Sequence, residues 1–253
     1  MALYTTIHLY NTPADRAGDY TSWFDGEHRA ALARLRGFRG AERFEIAEAQ
    51  MPGNFQPWKY LSVYDFDPPD AAIDLPALAP LLAAARDAGL IADDSAERTH
   101  TYRLFGDWKA SPNWQRDKPF SGVSVIIGNY VPGRHDDYQT WYENVHSVEV
   151  TNVPGQVAMK RGELSPVQLA PHHFCPGDQL VMTAQQTDDL EFTIKDFIDR
   201  ALGNSPSGIA MQPRSTAGSV ARTMHYFRKI SGAAFWEGGI AYAGDWAAYP
   251  NRG

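Results

Sequence analysis

A single cysteine, Cys175, stands among 253 residues, so no internal disulfide can form and a cysteine-based zinc site is excluded. No apolar run approaches the roughly 20 residues that span a bilayer. Met1 leads into a strand-like pattern over Leu3 to Tyr10, not a charged region followed by an apolar one, so no secretory signal is read. Charge of one sign is never concentrated. Lys and Arg number 23 against 30 Asp and Glu, a net charge of -7 without a basic stripe, which argues against nucleic acid as a partner. Glycine-rich phosphate loops, a Walker sequence and a nucleophile-elbow serine are missing as well, against nucleotide-driven chemistry and serine hydrolysis. The expectation is a soluble, cytoplasmic protein with no nucleic-acid and no membrane partner.

What the chain does contain is internal similarity. Sliding it by 118 residues sets Thr6–Ile46 on Ser124–Leu164 without a gap. Asn11 then meets Asn129, Tyr20 meets Tyr138, Trp23 meets Trp141, His28 meets His146, Gly37 meets Gly155 and Arg43 meets Arg161. Trp and His are rare, and both keep one spacing. Near each end the offset becomes 124, bringing Arg98–Tyr102 onto Arg222–Tyr226.

Each unit reads as strand, helix, strand, strand, helix, strand. β-branched and aromatic runs bounded by Pro or Gly mark the strands: Leu3–Tyr10, Ala41–Glu48, Lys59–Phe66 and Thr99–Phe105, then Val123–Tyr130, Val157–Leu164, Gln179–Gln186 and Ala221–Ile230. Tyr20, Trp23, Phe24, Ala31 and Leu35 lie in one helical stripe, and Asp74 and Asp189 suit the N-caps of the second helices. The order predicts an α+β fold of two tandem ferredoxin-like βαββαβ units, whose bare sheet faces bury each other as a barrel within one chain. The expected division is residues 1–110 and 121–230 for the two units, 111–120 for the linker and 231–253 for an aromatic C-terminal arm.

The segments Tyr20-Thr-Ser-Trp-Phe-Asp-Gly-Glu-His28 with Gly37, and Tyr138-Gln-Thr-Trp-Tyr-Glu-Asn-Val-His146 with Pro154-Gly155, resemble the EthD-like branch of the dimeric α+β barrel superfamily. That resemblance covers both units and leaves the arm unmatched. It implies the barrel fold, while the reactions of such proteins span cofactor-free monooxygenases, cyclases, lactone isomerases, dehydratases and haem enzymes, so fold does not choose the chemistry.

Candidate chemistry is therefore read from side chains. Imidazole exchanges protons near neutral pH, which makes His28 the expected general acid or base, although its recurrence as His146 suits a structural role at a helix end equally well. His8 and Tyr10 share one strand face with Thr6 and are expected to relay protons or orient substrate. Trp23, Tyr60, Tyr64, His100 and Tyr102, with Trp141, His146 and Tyr226 of the second unit, are the expected substrate-binding residues. Where Glu27, His8 and Tyr10 stand in the first unit, the second has Val145, Ile126 and Gly128, so the first unit is expected to carry the chemistry. Arg43 and Arg161 are read as salt-bridged to Glu45, Glu163 or another carboxylate. No metal is expected, because His172-His173 near Cys175 lacks ligand spacing; haem stands as an alternative cofactor to none.

These residues suit an enzyme using acid–base catalysis on a small apolar, aromatic compound as a lyase, dehydratase, isomerase or cyclase. Oxygenation of a phenol, with or without haem, is the second reading, and a non-catalytic ligand-binding or stress-response module is the third. A homodimer is compatible with all three.

Overall fold

The computed structural model describes residues 2–93, 96–115, 118–204, 211, 215–218 and 222–233. The strands are β1 (Tyr4–Tyr10), β2 (Phe38–Ile46), β3 (Tyr60–Phe66), β4 (Arg98–Leu104), β5 (Lys109–Ala110), β6 (Gly122–Gly128), β7 (Gln156–Leu164), β8 (Gln179–Gln185) and β9 (Arg222–Ala233). All of their pairings are antiparallel. They run in the order β4-β1-β3-β2-β9-β6-β8-β7-β5, and β4 also pairs with β7, which closes the ring.

The expected fold class, two tandem ferredoxin-like units, does not hold. The structure is one closed eight-strand antiparallel barrel with few helices. The physical reason lies at the strand edges. An unpaired edge exposes a row of N–H and C=O groups. Here β2 bonds to β9 over Ala41–Ile46, and β4 bonds to β7 over Tyr102–Leu104, so neither half keeps an edge and the hydrogen-bond ladder runs through both.

Helices are short because the sequence interrupts them. The first stripe divides into α1 (Ala17–Trp23), a π-turn at Phe24–His28, and α2 (Arg29–Leu32). Pro76 and Pro80 similarly divide α3 (Ala71–Asp74) from α4 (Ala79–Asp87). The cap of α3 is Asp70, which accepts from the Ala72 amide, and not Asp74. In the second half the same plan gives α5 (His135–Trp141), a π-turn at Tyr142–His146, and α6 (Ser147–Thr151). Asp189 caps α7 (Leu190–Leu202), which ends at Gly203 in the left-handed conformation, φ 74°.

Three apolar layers follow. The barrel interior is filled by Ile7, Leu9, Phe44, Leu61, Val63, Tyr102, Val123, Val125, Ile127, Leu180, Met182 and Phe227, drawn from both halves. A buried ion pair crosses it: Lys160 Nζ lies 2.7 Å from Asp65 Oδ1, with the Trp108 ring 4.8 Å away. Two outer layers pack helices on the barrel wall, one against Tyr10, Tyr60, Tyr64 and Phe66, the other against Ile126, Met159, Val181 and Tyr226. Loops are exchanged between them. Residues 47–54 lie on the second half, where Gln50 donates to the Tyr226 carbonyl and Asn54 to that of Met224. Val167 and Leu169 lie on the first. Residues 234–253 of the expected aromatic arm fall outside the described residues.

Candidate functional site

Side chains alternate across a strand, and register decides which ones meet. The face of β1 carrying Thr6, His8 and Tyr10 points outward, beneath α1, as do Tyr60, Ser62 and Tyr64 on β3. His100 and Tyr102 point into the barrel. In the ladders Ile7 opposes His100 and Val125 opposes His225, so the structural counterpart of His100 is His225. The sequence offset of 124 is one residue short, and a slip of one reverses every side chain. Tyr226 consequently lies in the outer layer while Tyr102 lies inside. The eleven expected site residues thus divide among three places: His8, Tyr10, Trp23, His28, Tyr60 and Tyr64 in the first outer layer, His100 and Tyr102 in the interior, and Trp141, His146 and Tyr226 in the second outer layer.

In the first layer the aromatic groups pack solidly. The π-turn presents His28 to the wall, where its Nε2 lies 3.2 Å from the Tyr64 hydroxyl and its ring stacks on Trp23 at 4.2 Å. Burial lowers its pKa to about 3, with a smaller contribution from His8, so the imidazole is neutral. His8 is fully buried, stacks on Tyr10 at 4.6 Å, and its Nε2 lies 2.7 Å from Glu97. Burial also lowers the His8 pKa, against the pull of Glu97. Burial pushes the Glu97 carboxyl upward, yet the hydrogen bonds of His8 and Arg86 outweigh it and hold the group at about 2. A neutral His8 therefore donates from Nε2 to an ionised Glu97.

Arg43 departs from its expected pairing with a carboxylate. It is 1% exposed, donates to the Tyr10 hydroxyl at 2.9 Å and to Thr21, and lies between the rings of Tyr20 and Tyr60. Arg161 keeps a carboxylate, Glu143, at 3.4 Å. Inside the barrel, burial lowers the pKa of His100 and of His225 to about 4 each, His173 and Arg98 adding to the effect on His100. His225 Nδ1 lies 2.7 Å from the Gln56 side-chain oxygen, and Tyr102 meets Cys175 at 3.2 Å.

In the second layer there is space. A cavity of about 70 Å³ is lined by Met51, Ile126, Tyr142, His146, Val150, Met159, Val181, Thr183, Phe197, Ala201, Met211 and Met224. Its wall is mostly apolar, with the His146 imidazole and the hydroxyl-bearing Tyr142 and Thr183 among its lining, the pattern of a small-molecule site. Trp141 stacks on His146 with centroids 4.3 Å apart, and Glu149 Oε2 lies 3.5 Å from His146 Nδ1. Four of the chain's six methionines line it, and methionine's three rotatable bonds let such a wall reshape. Met51 comes from the exchanged loop of the other half.

Sequence reasoning missed Thr183 and the methionines. Their convergence depends on register and on a loop crossing between halves, neither of which has a local signal. Among the described residues no group of three His, Cys, Asp or Glu side chains is placed to hold a metal ion, and no helix is long and apolar enough to cross a membrane.

Three solved structures share the fold over nearly their whole length. They are a candidate monooxygenase from Fusobacterium nucleatum subsp. nucleatum ATCC 25586 (TM-score 0.54, 11% identity, covering 95% of this chain and 97% of that one), an anthrone oxidase-like protein (0.57, 8%, 96% and 96%), and a candidate monooxygenase from Lactobacillus acidophilus NCFM (0.54, 9%, 92% and 97%). No protein-family model and no curated protein matches the sequence.

Proposed function

We propose that the chain is an enzyme that takes a proton from a small, mostly apolar compound held in the second-half cavity, and that the resulting anion is oxidised by dioxygen. The carrying observation is the cavity itself, with His146 in a mostly apolar wall. Glu149, beside Nδ1, orients the ring and stabilises the imidazolium, so that Nε2 is the nitrogen that exchanges a proton with the ligand. Trp141 holds the imidazole from one side. For a methylene made acidic by a neighbouring carbonyl or aryl ring, the proton leaves from the carbon or from the hydroxyl of the enol form, the common anion reduces dioxygen, and a C=O bond forms at that carbon. One oxygen atom enters the product and the other leaves as water with both hydrogens. The likeness to candidate monooxygenases and to an anthrone oxidase-like protein supports oxidation over the lyase or isomerase reading, which shares the proton-abstraction step. A chain of two duplicated units, each with its Trp–His π-turn, accounts for the paired geometry and is part of the same proposal.

The experiment is oxygen uptake with anthrone as the probe. Catalytic consumption of about one O2 per anthrone, lost in His146→Ala, is expected. Conversion of substrate without oxygen uptake would place the enzyme with the lyases and isomerases instead.

A further inference from the structure

The two outer layers can be superposed through their ladders. Tyr64 lies between Thr6 on β1 and Ala41 on β2. Thr183 lies between Ser124 on β6 and Met159 on β7. Thr6 and Ser124, and likewise Ala41 and Met159, are 118 residues apart, as are His28 and His146. Tyr64 and Thr183 therefore occupy the same rung under the same π-turn. In the first half the rung carries a phenol whose hydroxyl lies 3.2 Å from Nε2 of the histidine, and its ring meets the imidazole edge-on at 82°. In the second half the rung carries a threonine, which lines the cavity together with His146.

Resting on the reading that this cavity is the ligand site, we infer that its ligand is a phenol. The hydroxyl takes, on His146 Nε2, the position that the Tyr64 hydroxyl holds on His28, and Thr183 is the residue that makes room for it. The first half shows the bound geometry with the protein's own side chain standing in for the ligand. The Thr183 hydroxyl is engaged with Ser124, so its small volume matters here and not its polarity. Met159 replaces Ala41 and takes up some of the room, and with Met51, Met211 and Met224 it forms a wall that yields as the ring enters. A hydroxyl that bonds the ring nitrogen favours its ligand over the same molecule without it by the net worth of that hydrogen bond.

The Tyr64 side chain beyond its Cα is p-cresol, which is the probe. Calorimetric titration of the full chain should show p-cresol at one site. Toluene, the same shape without the hydroxyl, should bind about 10-fold or more weakly. Thr183→Tyr should restore the first-half packing, remain folded, and lose p-cresol binding. Thr183→Leu, which blocks the space with an aliphatic group, gives the same reading if the tyrosine variant does not fold. His146→Ala should bring p-cresol down to the toluene affinity. Toluene binding as tightly as p-cresol, or p-cresol binding that persists in the folded Thr183 variant, overturns the inference. Binding is measured without turnover, so the two readings fail separately: p-cresol bound as described with no oxygen uptake from anthrone defeats the oxidase alone. Oxygen uptake that survives in the Thr183 variant defeats the phenol site alone.

Discussion

Trp141 lies almost parallel to His146, the planes 12° apart and the centroids at 4.3 Å. The two are joined by a π-turn, whose extra residue brings side chains five apart onto one another and which often marks functional sites. Trp23 and His28 repeat the arrangement at 4.2 Å and 26°. The stack fixes the plane of the imidazole, and a misplacement of about 1 Å can cost around 10²-fold in rate. Trp141→Leu should therefore lower kcat by about 10- to 100-fold while the melting temperature falls only slightly. An unchanged kcat in steady-state assays would show that the stack does not position the ring.

Buried histidines set the acid limit of the fold. His28, with a folded pKa of about 3, and His100 and His225, each about 4, bind protons more readily when unfolded, near pH 6.5. Their pKa values are depressed in the folded state, so the stability they contribute is full above about 6.5 and is lost as pH falls from there toward 4. Each can weaken the fold by up to about 1.4 kcal/mol per pH unit in that window. Denaturant midpoints measured from pH 7 to 4 should fall steeply, and His225→Gln should flatten the slope. A midpoint constant over that range would contradict the burial of these rings.

The ion pair of Lys160 and Asp65 sits in the barrel interior, 2.7 Å apart with the ammonium almost fully buried. Removing one partner leaves a buried charge, so Lys160→Met or Asp65→Asn should each cost about 3–5 kcal/mol. Combining Lys160→Met with Asp65→Leu should cost clearly less than the two single effects added. Additive losses in urea titrations would show that the charges do not depend on one another.

The strands were legible because β-branched and aromatic runs end at Pro and Gly; Tyr60–Phe66 and Gln179–Gln185 stand within one residue of the sequence reading at each end. The strand pairs that join the halves were not, since the pairing of β2 with β9 and of β4 with β7 leaves the in–out alternation of each strand unchanged. The repeat located His146 but not its surroundings. An offset of 124 in the last strand, where the ladders require 125, put Tyr226 and Tyr102 on the same side of the wall. The richness of the first half in titratable groups pointed to His28, His8 and Tyr10. Those groups are packed against one another and against Glu97 and Arg43, whereas the space lies where the second half has smaller side chains.

The central claim is that His146, not its buried twin His28, moves the proton. It is tested by comparing His146→Ala with His28→Ala for anthrone-dependent oxygen uptake and for thermal stability in parallel. Loss of a proton-transfer group costs about 10²–10⁴-fold in rate, and truncating a buried ring costs about 2–4 kcal/mol. His146→Ala should lose turnover by that factor with little change in melting temperature. His28→Ala should melt several degrees lower while its folded fraction keeps near-native turnover. Turnover abolished by His28→Ala and retained by His146→Ala would contradict the account.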